Sequence, residues 1–138
     1  MTQEREHGAV WLTDLNPRRS AEPAKTMPVL LIQHQALLDA GHPSTLVVPL
    51  TNRLVDNAAP LRLRVRARER LEHDCDLLID QLRAIDSRLL VEGPLAHLDA
   101  AEMSQVYAAI LEIMGIQLAP EAGSPQTERL NGQEGGNT

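Results

Sequence analysis

The sequence predicts a small, mainly β domain completed by one C-terminal helix, and three observations carry that expectation. Residues 8–17, 27–33 and 47–51 are three short blocks rich in β-branched and aliphatic side chains, the composition of strands. In Leu61-Arg62-Leu63-Arg64-Val65-Arg66-Ala67-Arg68-Glu69-Arg70 arginine recurs at every second position, which on a strand puts the whole series on one face. Met103, Val106, Tyr107, Ile110, Leu111 and Met114 fall at three- and four-residue steps and form one apolar helical stripe.

Each element follows from local chemistry. Asn16-Pro17 stops the first strand and Pro28 opens the second; the polar segment 18–26 between them is longer than a tight hairpin needs, and such loops commonly carry binding groups. Residues 34–40 suit a short helix, and Gly41-His42-Pro43-Ser44 punctuates before the third strand. A turn at 57–60 leads into the arginine strand, Asp76-Leu77-Leu78-Ile79-Asp80 is a short apolar strand, and Leu89-Leu90-Val91 is another, closed by Glu92-Gly93-Pro94. The final helix has Asp99 as N-cap with Glu102 at the reciprocal capping position, Leu98 as staple to Met103, and Gly115 for the left-handed residue past its end. Residues 1–7 read as a polar tail, 8–116 as the domain, and 117–138 as a tail too poor in apolar residues to offset the cost of ordering.

Composition excludes several classes. A chain of 138 residues is one domain's worth, and with one Trp, one Tyr and no Phe its core must be built from aliphatic side chains. Cys75 stands alone, so no internal disulfide forms and a reducing cytoplasm is the expected setting. The start lacks the basic-then-apolar order of a signal peptide, and no apolar run reaches membrane-spanning length, so no membrane association is expected. His7, His34, His42, His73 and His97 are scattered without paired cysteines, which gives no zinc pattern; no metal or cofactor is expected. Cys75 lies two residues from His73, a spacing that says nothing about thiol activation, and a buried structural thiol is the better reading. Phosphate-cradling and dinucleotide glycine motifs are absent.

The net charge of −6 argues against a nucleic-acid partner, but its distribution reopens the question. Arg62, Arg64 and Arg66 form the centre of a basic stripe flanked in sequence by Arg53 and Arg83, while Glu4, Glu6, Asp99, Glu102, Glu112, Glu121, Glu128 and Glu134 lie towards the chain ends. The stripe reads either as a solvated sheet face whose arginines find acidic neighbours or as a contact surface for a polyanion or an acidic partner. The sequence leaves both open.

Four segments in fixed order, Gly8-x-Val10-Trp11-x-x-Asp14-Leu15-x-Pro17, Pro28-Val29-Leu30-x-Ile32-Gln33, Val48-Pro49-Leu50-Thr51 and Asp80-Gln81, resemble the MazF/PemK-type toxins of bacterial toxin-antitoxin modules. The resemblance implies an SH3-like β-barrel with a C-terminal helix, a homodimer, a cognate antitoxin, and metal-independent, sequence-selective cleavage of single-stranded RNA. In MazF-like enzymes the resemblance places an arginine of the first inter-strand loop and a threonine at the end of the third strand in the groove. Thr51 matches the threonine, but Met27 stands where the arginine is expected. Lys25, Arg18 and Arg19 lie in the same loop and are the candidate replacement cations, although a lysine is a point charge and not a planar fork.

The PemK/Kid branch implies a different set, in which Asp80 matches an aspartate, while Leu78 and Ala21 stand where an arginine and a histidine are expected. Candidate catalytic residues are therefore Thr51, Asp80 and Lys25, and candidate substrate contacts are Arg18, Arg19, Glu22, Met27, Gln81 and Arg83 together with Arg62, Arg64 and Arg66. A hydroxyl at a strand end also commonly bonds its own backbone, and an aspartate in a turn its own loop. Two alternatives stay beside the ribonuclease. CcdB-type toxins, which resemble the same fold and bind DNA gyrase, share a segment like Val48-Pro49-Leu50 and a Gly-Ile like Gly115-Ile116, with Met114 in place of a tryptophan. The other is a family member that has lost catalysis and only binds its partner.

Overall fold

The computed structural model describes residues 4–15 and 25–118. In chain order its elements are β1 (Ala9–Asp14), β2 (Thr26–Leu31), the short helix α1 (Gln35–Asp39), β3 (Ser44–Thr51), β4 (Arg62–Val65), β5 (Cys75–Leu78), β6 (Arg83–Asp86), β7 (Leu90–His97) and the helix α2 (Ala100–Ile113). Single 3₁₀ turns at Ile79–Gln81 and Ser87–Leu89 separate the later strands. The described strands form one antiparallel sheet in the order β4-β5-β3-β2-β1-β7, with β6 joined to β3 beside β5. Trp11 lies opposite Val29 and Leu30 opposite Val48, while Leu50 lies opposite Leu77.

The predicted class stands: mostly antiparallel β with a C-terminal helix. The barrel is not closed, because the terminal strands β4 and β7 do not pair with each other. Instead a tight turn, in which Leu71 and Arg68 exchange backbone hydrogen bonds, crosses towards β7, and the Arg70 N–H donates to the Leu95 carbonyl at 2.8 Å.

Side-chain alternation divides the interior in two. Val10, Leu30, Val48, Leu50, Val65 and Leu77 pack with Met103, Val106 and Ala109 of α2, whereas Ala9, Trp11, Val29, Leu31 and Val47 pack with Ile85 and Leu90. Strands β1 to β3 are thus buried on both faces, which is why they read as near-continuous apolar runs. The expected cap of α2 is present: the Glu102 N–H donates to Asp99 at 2.8 Å, and the Asp99 N–H to Glu102 at 3.0 Å. Gly115, at φ +73°, follows the helix end as expected.

Several boundaries differ from expectation. β3 begins three residues early, since Ser44, Thr45 and Leu46 find partners in β6, a strand the composition of Arg83-Ala84-Ile85-Asp86 conceals. The second strand starts at Thr26, with Pro28 third; its ladder to β3 is registered only from Val29 onward, so the missing N–H of Pro28 lies beyond it. Glu92-Gly93-Pro94 does not close β7 but lies within it, where register shifts against β1 absorb the irregularity. Residues 4–7, read as a tail, pack on the domain: Arg5 stacks over Trp11 at 5.3 Å, Glu6 meets His97 at 3.0 Å, and the His7 ring meets the Gln33 carbonyl and the Tyr107 hydroxyl. The tail expected over 117–138 lies outside the described residues except for Gln117 and Leu118, which are exposed.

The arginine strand runs only from Arg62 to Val65, under half of the 61–70 series, and each arginine of the series has an acidic partner: Arg62 and Arg64 on Asp76, Arg66 on Asp74, Arg68 on Glu102, and Arg70 on Glu92. Asp76 is the centre of this set. Only 1% exposed, it accepts from Arg64 Nε at 2.6 Å, from the Val55 N–H at 2.8 Å and from Arg62 Nη1 at 3.3 Å. Burial pushes its carboxyl up, but the two guanidiniums and the amide outweigh burial and hold it below the usual carboxylate range.

Truncating one member of a buried charge set strands the others, so Asp76→Ala should destabilise the protein by about 3 kcal/mol in denaturant melts. Because the folded-state pKa is depressed, the contribution of Asp76 is complete above its unfolded value near ~3.9 and is lost as pH falls through the folded value. Asp86, held at about 2 by the Arg88 guanidinium and N–H, acts in the same direction. Stability should therefore fall from about pH 4 downward, and Asp76→Asn should flatten that fall. A second expectation concerns Gly93, where an added Cβ would stand 2.4 Å from Trp11 Cδ2. Trp11 is buried on both sides of its ring and cannot retreat, so Gly93→Ala should cost at least about 2 kcal/mol in the same melts.

Candidate functional site

The site begins at one end of the β2/β3 pair. The last registered pair there is Val29 with Pro49; Met27 lies two residues before Val29 and Thr51 two residues after Pro49, where the β2/β3 ladder has ended. Both line a cleft of about 350 Å³ together with Thr26, Pro28, Leu50, Asn52, Leu71, Glu72, His73 and Cys75. Burial separates its parts: Leu50, Leu71 and Cys75 are the buried floor, and Thr26, Asn52, Glu72 and His73 are the exposed rim.

Thr51 is half-buried, and its hydroxyl oxygen accepts from the Arg53 N–H at 3.2 Å, which leaves the hydroxyl proton to donate elsewhere. Lys25 is exposed and precedes the rim residue Thr26; its carbonyl accepts from the Leu15 N–H at 2.8 Å, fixing the backbone where the first loop rejoins the sheet. Arg18, Arg19 and Glu22 lie outside the described residues. The Cys75 thiol is pushed up by burial, then by Asp74 and Asp76, and is therefore a neutral thiol and not a thiolate.

Asp80, Gln81 and Arg83 are not brought to this cleft. Asp80 and Gln81 are exposed in a 3₁₀ turn that packs near α2, and Arg83 pairs with Val47, four residues from Thr51 along β3. At about 3.3 Å per residue that is a separation of roughly 13 Å. The two sets of candidate residues thus occupy separate regions of the chain. Arg62, Arg64 and Arg66 line another, more polar cleft of about 430 Å³ with Asp76, Asp56 and residues 55–59, and their acidic partners neutralise most of the positive charge the alternating pattern suggests.

Sequence reasoning missed Asn52, Glu72 and His73 as cleft residues. The signal that finds them is the pairing of Thr51 with Asp76, which sets the residues before β5 beside those at the end of β3. No spacing within 69–75 reveals it. Among the described residues no group of three or more His, Cys, Asp or Glu side chains is arranged to hold a metal ion, and no helix is long and apolar enough to cross a membrane.

Several solved structures share this fold. A chain of the crystal structure of MazE-MazF (Form-II) from Deinococcus radiodurans superposes with a TM-score of 0.68 at 18% identity, covering 84% of this chain and all of that one. The Mycobacterium tuberculosis toxin MazF-mt6 gives 0.65 at 17% identity, covering 80% of this chain and 99% of its own. An endoribonuclease in complex with its cognate antitoxin, from a mycobacterial species, gives 0.63 at 16% identity, covering 86% of this chain and all of that one. At such identities these likenesses speak to the fold. A family model independently matches residues 6–114, most of the chain, and so the chain belongs to the PemK-like, MazF-like toxins of type II toxin-antitoxin systems.

Proposed function

We propose that this chain is a growth-inhibiting, cytoplasmic toxin that cuts single-stranded RNA at selected sequences without a metal ion, acts as a homodimer, and is neutralised by a cognate antitoxin. The observation that carries the reading is that Thr51, from the end of β3, and Met27, from the start of β2, line one cleft. Those are the two positions that the family resemblance marks for the reaction. That solved relatives of this fold are a MazF in complex with MazE and an endoribonuclease bound to its antitoxin supports both the activity and the partner.

The chemistry needs little apparatus. The ribose 2′-hydroxyl is an internal nucleophile, so the protein has to hold the strand in line, move a proton and stabilise charge on the phosphate as it develops. Thr51 offers a hydroxyl donor to a phosphate oxygen. Lys25, anchored at the foot of the first loop, supplies the cation that Met27 cannot.

Purified protein should cut single-stranded RNA in the presence of EDTA. Thr51→Ala and Lys25→Ala should each lower the rate at least tenfold. Met27→Arg should raise it by up to about a hundredfold, because a guanidinium aimed at the phosphate acts mainly in the transition state, where one well-placed donor is worth ~3 kcal/mol. Failure of the wild-type chain to cut any RNA, with inhibition of DNA gyrase in its place, would transfer the reading to the gyrase-binding class.

A further inference from the structure

We infer that His73 is the proton acceptor of this RNA cleavage, an inference that rests on the ribonuclease reading above. His73 is exposed on the rim of the cleft that Met27 and Thr51 also line. Imidazole changes charge between pH 5 and 8, the range in which a group can both take a proton from a hydroxyl and give it up again. Glu72 is the other titratable rim residue, and a carboxylate is the weaker base of the two.

The backbone that follows His73 is held at two points. The Cys75 thiol donates to the His73 carbonyl at 3.4 Å, and the Asp74 carboxylate accepts from the Ala67 N–H at 2.7 Å and meets Arg66 at 3.2 Å. Immediately beyond, Asp76 pairs with Thr51. The segment that presents the imidazole is therefore tied into the same rung of the sheet as the threonine. This gives a folded reason for a histidine that its spacing in the sequence leaves unexplained.

The step balances without a co-reactant. Neutral His73 accepts the 2′-hydroxyl proton as the 2′-oxygen bonds to phosphorus; the phosphorus–O5′ bond breaks with its electron pair leaving on O5′, which takes a proton from water. The imidazolium then returns its proton to solvent. The products are a 2′,3′-cyclic phosphate and a 5′-hydroxyl, and no water is consumed. One consequence suits this chain in particular. Accepting the proton makes His73 a cation beside the phosphate at the moment charge builds there, in a cleft where Met27 contributes none.

The test is the pH–rate profile of RNA cleavage from pH 5 to 9 for full-length wild type, His73→Gln, His73→Ala and Glu72→Gln, with thermal melts as the folding control. His73→Gln should melt like wild type, cut at least a hundredfold more slowly at neutral pH, and lose the fall in rate on the acid side that wild type shows. Added imidazole should restore part of the rate to His73→Ala, while Glu72→Gln, whatever its rate, should keep the fall on the acid side. A His73→Gln protein that cuts within a few-fold of wild type with the same profile overturns the inference and leaves the ribonuclease reading standing; so does transfer of the profile change to Glu72→Gln. A wild-type chain that cuts no RNA at any pH overturns both.

Discussion

The buried carboxylate of Asp76 is the interaction on which one half of this molecule depends. It ties β4 to β5 through Arg62 and Arg64, and it reaches across to the Val55 N–H, which belongs to the loop leaving β3. Arg62 extends the tie by donating to the Arg53 carbonyl at 2.9 Å. The segment after Thr51 is thereby pinned to the sheet within four residues of the strand end, and the rim of the cleft takes its shape from that pinning. Removing two guanidiniums and a carboxylate from bulk water is costly unless each finds partners. Here one oxygen of Asp76 takes Arg64 and the other takes Val55 and Arg62, so the set is held by several hydrogen bonds and not by charge alone.

The same set explains why a period-two run of arginines becomes only a four-residue strand. Alternation predicts the face on which Arg62 and Arg64 lie, and they do share one, directed to Asp76. Beyond Val65 the chain leaves the ladder, because Arg68, Glu69 and Arg70 are drawn to α2 and β7 instead: Arg68 to Glu102, Glu69 to the His97 N–H and ring, and Arg70 to Glu92. Charge partners 20 to 35 residues away along the chain decided that, and no local pattern contains them. The elements governed by local rules were legible: β1 and β2 in their apolar runs, and α2 in its stripe, its capping box and Gly115. The elements hidden from the sequence were those whose reason is tertiary. β6 has the composition of a loop and exists because β3 offers it an edge, and β7 continues through Gly93-Pro94 because Gly93 leaves room for the Trp11 ring.

A similar division holds for the candidate site. Thr51 was identifiable from a short motif, and Met27 from the residue missing beside Pro28, since both lie in strands with strong local signals. Both line one cleft just beyond the last registered pair, Val29 with Pro49. Asp80 and Gln81 have an equally recognisable motif, yet they sit a strand's length from Thr51, on the turn near α2. Sequence order carries no information on that distance. His73 was the converse case, a residue with no motif that the pairing of Thr51 with Asp76 carries into the cleft.

The electrostatics of the chain also look different once folded. A net charge of −6 with a basic stripe suggests an acidic protein with one polyanion-binding face. With each arginine of the stripe held by an internal carboxylate, that face is locally close to neutral, and long-range attraction of RNA by it is weak. An RNA substrate would then be held by short-range groups at the cleft and not by a broad positive field. Such binding depends on fit: an apolar floor of Leu50, Leu71 and Cys75 suits the face of a nucleobase, and the hydroxyls of Thr26 and Thr51 with the amide of Asn52 suit its edge or the adjoining phosphate. A cleft of this kind would discriminate among sequences more than it would accumulate nucleic acid, because a buried floor rewards shape while an unmatched polar rim penalises the wrong base. That balance, weak in attraction and demanding in contact, is the one the proposed selective cleavage of RNA would require.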